Sequence, residues 1–176
     1  MATPHAKAFT LFELVVVLCV VAVLAGVFVD RVWFYQEQAE KAGVEQVAAA
    51  LQSALTLQLA DLIVRGREAD AVKLGTENPM NWLVKKPSNY AGEFFEPTPG
   101  TVAPGAWLFD LKSHDLIYMV DSSRFFTPGR DGVKWIRFHV YLMQGFAPRD
   151  GAKGTLKATG AVIQPVESYL WFDRRL

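Results

Sequence analysis

The feature that most constrains this chain is an apolar run over residues 9–29, which begins Phe9-Thr10-Leu11-Phe12-Glu13-Leu14 and continues almost entirely in Val, Leu and Ala. About twenty such residues in an α-helix, each rising ~1.5 Å, match a bilayer hydrocarbon core of ~30 Å. Glu13 interrupts the run near its start, and an ionised carboxylate at hydrocarbon depth costs at least about 3 kcal/mol unless something neutralises it. The sequence therefore predicts a membrane-spanning helix carrying one acid that needs a partner. The plainer reading is a snorkelling or protonated glutamate near the helix end of an ordinary signal anchor.

Ala8 followed by Phe9-Thr10-Leu11-Phe12-Glu13-Leu14 and the Val/Leu/Ala run resembles the prepilin-type cleavage and methylation site of type IV pilins and type II secretion pseudopilins. That pattern is a short basic leader, a small residue before the cut, Phe and Thr after it, and Glu as the fifth mature residue. The resemblance implies that prepilin peptidase cuts between Ala8 and Phe9. Phe9 would then become an N-methylated amino terminus, and Glu13 would be the assembly glutamate. The family usually has Gly before the cut where this chain has Ala8; alanine is small enough for cleavage to be expected. A Glu13 carboxylate meeting the Phe9 amine of the next subunit would offset two charges that are each costly in a low-dielectric medium.

The partners implied by this resemblance are prepilin peptidase, other pilin or pseudopilin subunits, an inner-membrane assembly platform and the lipid bilayer. The implied location is a single pass through the bacterial inner membrane, with a cytoplasmic N-terminus and a periplasmic C-terminal domain. No cofactor is expected. Residues 1–8 read as the leader, 9–29 as the membrane half of a helix, 30–65 as its amphipathic half and 66–176 as a globular domain. The leader holds Lys7 and no apolar core of its own, unlike an ordinary secretory signal. Two readings compete with the filament subunit: a signal-anchored periplasmic binding or catalytic domain that does not polymerise, and a DNA-uptake minor pilin.

With 176 residues, the chain has room for one modest domain beside the anchor. Its 18 basic and 18 acidic residues give no global charge to recruit nucleic acid or anionic lipid. The only cysteine, Cys19, lies in the apolar run, so the domain has no disulfide. Many major pilins carry a C-terminal disulfide loop, and this departure leans toward a pseudopilin or minor pilin.

Beyond the apolar run no proline occurs until Pro79, so helix is predicted from about Thr10 to about Arg65. Val44, Val47, Leu51, Leu55, Leu59 and Leu62 form one stripe at three- and four-residue steps. Glu37, Glu40, Lys41, Glu45, Gln46 and Gln52 fall elsewhere on the helix surface, and Gly26 and Gly43 mark candidate bends. Asn78-Pro79 suggests a turn or fresh helix start, and residues 92–105 read as a long loop rich in Pro and Gly. Strands are predicted at 106–109 and 116–120, joined by a Lys112-Ser113-His114-Asp115 hairpin turn, then at 134–143, 155–166 and 169–172. Strand 134–143 alternates Trp135, Arg137, His139 and Tyr141 with Ile136, Phe138, Val140 and Leu142. The expected fold is α+β, a long N-terminal helix packed on a C-terminal antiparallel sheet with one apolar face. The pilin αβ-roll is what the resemblance implies.

His5, His114 and His139 are not at metal-ligand spacing, and both domain histidines read as surface residues. Asp110, Asp115 and Asp121 lack calcium-loop spacing and read as solvated turn acids, so no metal site is expected. Ser, His and Asp occur without a nucleophile elbow or a Gly-rich phosphate loop, so an enzyme is not expected. One local bias stands out: Arg124, Arg130, Lys134, Arg137, Arg149, Lys153 and Lys157 are opposed only by Asp131 and Asp150 between residues 124 and 157. Within it Lys134, Arg137, Arg149 and Lys153 form a candidate patch for an anionic partner. Interspersed surface charge or a neighbouring subunit is favoured over DNA as the explanation.

Overall fold

The computed structural model describes residues 10–149 and 152–172. One α-helix, α1, runs Leu11–Val64. Its start is set by Thr10, whose carbonyl accepts the Leu14 N–H at 3.1 Å and whose hydroxyl accepts the Glu13 N–H at 3.2 Å. Its end is a Schellman turn: the Arg67 N–H reaches the Leu62 carbonyl at 2.8 Å and the Gly66 N–H reaches that of Ile63 at 3.0 Å. The turn requires φ of +67° at position 66, which glycine adopts without a Cβ penalty. The helix continues through Gly26 and Gly43, so the expected weak points are ordinary helical positions.

The chain divides into two compact units, the first ending at Gln38 and the second beginning at Ala39. In the first, every residue from 11 to 29 is exposed. This stretch is long and apolar enough to cross a membrane.

In the second unit the helix stripe is covered as its periodicity predicts. Val44, Leu51, Leu55 and Leu59 are buried, and Val47 and Leu62 are half-buried. Val44 and Leu51 join a cluster with Trp107, Phe109, Leu116, Tyr118, Ile136 and Phe138; Leu55 and Leu59 join Ala71, Leu74 and Val140. Ala71 and Leu74 belong to a 3₁₀ helix, Glu68–Gly75, and Met80 to a second, Pro79–Trp82, whose start is capped by Asn78 Oδ1 accepting from the Met80 N–H at 3.0 Å.

The strands are β1 (Tyr90–Phe94), β2 (Trp107–Asp110), β3 (Leu116–Met119), β4 (Phe126–Thr127), β5 (Trp135–Arg149), β6 (Ala152–Pro165) and β7 (Leu170–Trp171). Five of them form one sheet in the order β1-β2-β3-β5-β6, while β4 and β7 pair separately. The sheet is mixed, which corrects the antiparallel expectation: β1 pairs β2 in parallel, with Tyr90 opposite Trp107. The segment read as a loop from residue 92 thus begins inside a strand, and only its remainder, 95–106, is the crossover that a parallel pair needs.

The sheet also departs from the one-apolar-face expectation. Every residue of β2 and β3 is buried, because Leu108, Ile117 and Met119 pack with Val102 of the crossover, Phe94 and Trp135 on the face away from the helix-side core. Further along, β5 keeps its alternation: Ile136, Phe138 and Val140 are buried, whereas Trp135, Arg137 and His139 are half-buried and Tyr141 is exposed.

Polar helix residues expected on the surface instead hold the fold together. Glu37 is buried. Glu40 accepts from the Tyr118 hydroxyl at 3.0 Å and from the Asp121 and Ser122 N–H groups at 2.7 and 2.8 Å. The Gln52 amide donates to the Ala161 carbonyl at 3.2 Å and accepts from the Ile163 N–H at 2.9 Å, satisfying the outer edge of β6.

Candidate functional site

The site that the sequence singles out is the start of α1. Glu13 is exposed in the first turn, among the exposed side chains of Leu11, Phe12 and Leu14. Its backbone N–H is taken by the Thr10 hydroxyl, and a carboxylate in a first turn also sits favourably toward the positive end of the helix dipole. Thr10 and Glu13 therefore stand at the spacing of a capping box, a signal legible in the sequence that explains how the helix begins. It does not remove the cost of placing the acid in hydrocarbon, because the flanking surface is apolar all round. Ala8 and Phe9, the expected cleavage and methylation positions, lie outside the described residues, as does the rest of the leader. Cys19 is an exposed helix residue.

Of the expected anionic-partner patch, the side chains of Lys134 and Arg137 are among those described. Arg137 is half-buried and held by acids of its own chain, pairing with Glu167 and lying 3.8 Å from Asp131. Its guanidinium stands 5.7 Å from the Trp135 ring centroid, while the Trp135 indole N–H donates to Asp131 at 2.6 Å. Lys134 is exposed just before β5. Arg149 and Lys153 are placed near the ends of β5 and β6 that face each other across the hairpin, where Arg149 is opposite Ala152; their side chains are outside those described.

Two acids expected to be solvated are not. Asp110 is 8% exposed and Asp115 6%. Asp110 accepts from the Ser113 hydroxyl at 2.8 Å and from the N–H groups of Lys112 and Glu96 at 2.9 and 3.1 Å. Burial alone would raise its pKa, but these hydrogen bonds to the charged form outweigh it and hold the carboxyl below its usual value. Asp115 meets Nδ1 of His139 at 2.8 Å, so His139 is a half-buried, bonded residue and not a bare surface histidine. Tyr118 is pushed well above the ordinary phenol value, first by burial and then by the adjacent Glu40 carboxylate. Among the described residues no group of three or more His, Cys, Asp or Glu is placed to hold a metal ion.

Sequence reasoning did not find the cleft of about 590 Å³ between the helix positions Glu40, Gly43, Val47 and Ala50 and the segment 83–89. Lys85 and Lys86 stand on its loop side and Trp107 lines it from the sheet. The small residues Gly43 and Ala50 are the only signal for it in the sequence. Comparison of the chain with models of protein families, with curated proteins and with solved structures finds no match.

Proposed function

We propose that this chain is a pilin-like structural subunit, inserted once in the bacterial inner membrane and assembled into a type IV pilus or type II secretion pseudopilus. The observation that carries the reading is a single acid, Glu13, in the first turn of a helix whose next sixteen residues are exposed and mostly apolar. In hydrocarbon that arrangement is destabilising for an isolated molecule and is relieved when a cation arrives from outside it. Cleavage by prepilin peptidase between Ala8 and Phe9 would create such a cation at the Phe9 amine, and N-methylation would leave it charged. The continuous helix supports the same reading, since it joins an exposed apolar half to a half packed under a sheet. The function is structural: Glu13 and Phe9 set register, the apolar helix fills the filament interior and the α+β domain, a pilin-like roll, forms its outside.

Mass spectrometry of the full chain extracted from membranes tests this. The expected species begins at an N-methylated Phe9; a chain retaining Met1 would overturn the proposal in favour of a signal-anchored domain. A Glu13→Leu chain is expected to enter filaments poorly, and incorporation at the parental level would remove the role assigned to Glu13.

A further inference from the structure

The cleft beside α1 carries charge that the chain itself does not answer. Lys41, Lys73 and Lys112 each meet a carboxylate of their own chain. Lys85 and Lys86, on the loop side of the cleft, are exposed and meet no carboxylate among the described residues. Lys86 is nonetheless held in place, because its ammonium donates to Asn81 Oδ1 at 2.7 Å and stands 5.2 Å from the Tyr90 ring centroid. The lining beside these cations includes Val44, Val47, Leu83 and Trp107. Apolar surface next to unanswered cations has the make-up of a protein-interface core with a charged rim.

The shape suits a chain better than a small molecule. Small ligands take sites that enclose most of their surface, whereas this cleft is open to solvent. From Glu40 to Ala50 it follows about 15 Å of helix, the span of about four or five extended residues. The exposed Gln46 amide and Ser88 hydroxyl on its walls supply donors and acceptors for peptide groups, which an acyl chain would leave unused. A Cβ at Gly43 would meet nothing within 4 Å, so the helix wall is clear there.

A second copy of this chain is a poor occupant. The acids nearest in sequence to the exposed Leu57, Val72, Phe95 and Val166 are bound by cations of their own chain, as Asp61 is by Arg65 and Glu96 by Lys112. The acidic, apolar strip that the cleft calls for is therefore not one that these segments offer.

We propose that the cleft between α1 and segment 83–89 receives an extended segment of a different protein, one that joins apolar side chains to carboxylates. The apolar side chains cover Val47 and Leu83, and the carboxylates meet Lys85 and Lys86. Burial supplies the affinity and the two cations the choice of partner. This deepens the filament reading by making one contact of the subunit heterotypic, and it rests on that reading only for the setting in which the partner is met.

The test uses the full chain in phosphatidylcholine nanodiscs and a labelled hexapeptide, two Leu followed by two Glu between terminal Gly residues, read by fluorescence anisotropy. Comparison peptides carry Lys in place of Glu, or Gly in place of Leu. The Leu/Glu peptide is expected to bind best. Gly43→Leu fills the cleft from an exposed helix position where leucine is the better helix former, so it should melt no lower than the parent and bind at least about tenfold more weakly. K85E/K86E should lose the Leu/Glu peptide by a similar factor and prefer the Leu/Lys one. No saturable binding up to about 1 mM, equal binding of either comparison peptide, or parental binding by Gly43→Leu would overturn the proposal. So would self-association of the parent, or retention of added phosphatidylglycerol, that K85E/K86E removes, since these assign the cations to a second copy or to lipid. None of these readouts requires polymerisation, so E13L should bind the peptide as the parent does, and failure here leaves the mass-spectrometric test of the filament reading standing.

Discussion

Glu40 ties the helix to the end of β3, and its removal has a calculable consequence. In Glu40→Ala the Tyr118 hydroxyl loses a charged acceptor at a residue only 4% exposed, a loss worth about 1.5–3 kcal/mol. The Asp121 and Ser122 N–H groups lose acceptors too, but they lie where water can replace the carboxylate in part, so they add about 0.5 kcal/mol each. The sum is about 2.5–4 kcal/mol. For a urea slope of about 2 kcal/mol/M this lowers the unfolding midpoint by about 1–2 M. Urea titration of the full chain in micelles, followed by tryptophan fluorescence, reads this locally, because the Trp107 ring lies 4.9 Å from that of Tyr118. A double-mutant cycle of Glu40→Gln with Tyr118→Phe should give a coupling of about 1 kcal/mol or more. A midpoint shift below about 0.3 M in Glu40→Ala, or a coupling near zero, would refute the assignment of this carboxylate as the tie.

Tyr118 also predicts an alkaline limit. Its folded-state pKa lies above the unfolded value, so its contribution is complete below about pH 10 and declines as pH rises beyond that; melts at pH 9 and 11 should show the loss, and Tyr118→Phe should reduce it. Asp110 predicts the opposite limb. Its folded pKa lies below the unfolded one, so the stability it confers is present above about pH 4 and is lost as pH falls through the folded value, and Asp110→Asn should flatten the acid slope of a melting series. Gln52→Leu should cost about 1–2 kcal/mol and raise hydrogen exchange at the Ile163 amide, with unchanged exchange there counting against the edge-sealing role.

The helix was legible in the sequence because its signals are local. Thr10 caps it, no proline interrupts it, the Val44-to-Leu62 stripe has the right period, and Gly66 allows the left-handed residue that ends it. β5 was legible for the same reason, since strict alternation over Trp135 to Leu142 admits few other structures. β1 was not, because Gly92 and Glu93 weaken its strand pattern and its parallel pairing depends on a distant segment. β4 is two residues long and exists through its pairing with β7, with Phe126 meeting Trp171 edge-on at 5.2 Å. The burial of Asp110 and Asp115 was hidden as well: a turn acid reads as solvated until the N–H groups that surround it are known. In the candidate site, the position of Glu13 was visible from spacing alone, whereas the engagement of Arg137 by Glu167 joins residues thirty apart and left no local trace.

Because the crossover 95–106 lies over β2 and β3 on the side opposite α1, these two strands have no water-facing rows. Saturation mutagenesis should find their adjacent positions equally intolerant of polar replacement, where an ordinary hairpin would tolerate every second one. Evolutionary drift in this domain is thereby channelled to its margins, the connecting segments and the outer row of β5, where a change of recognition leaves the interior untouched.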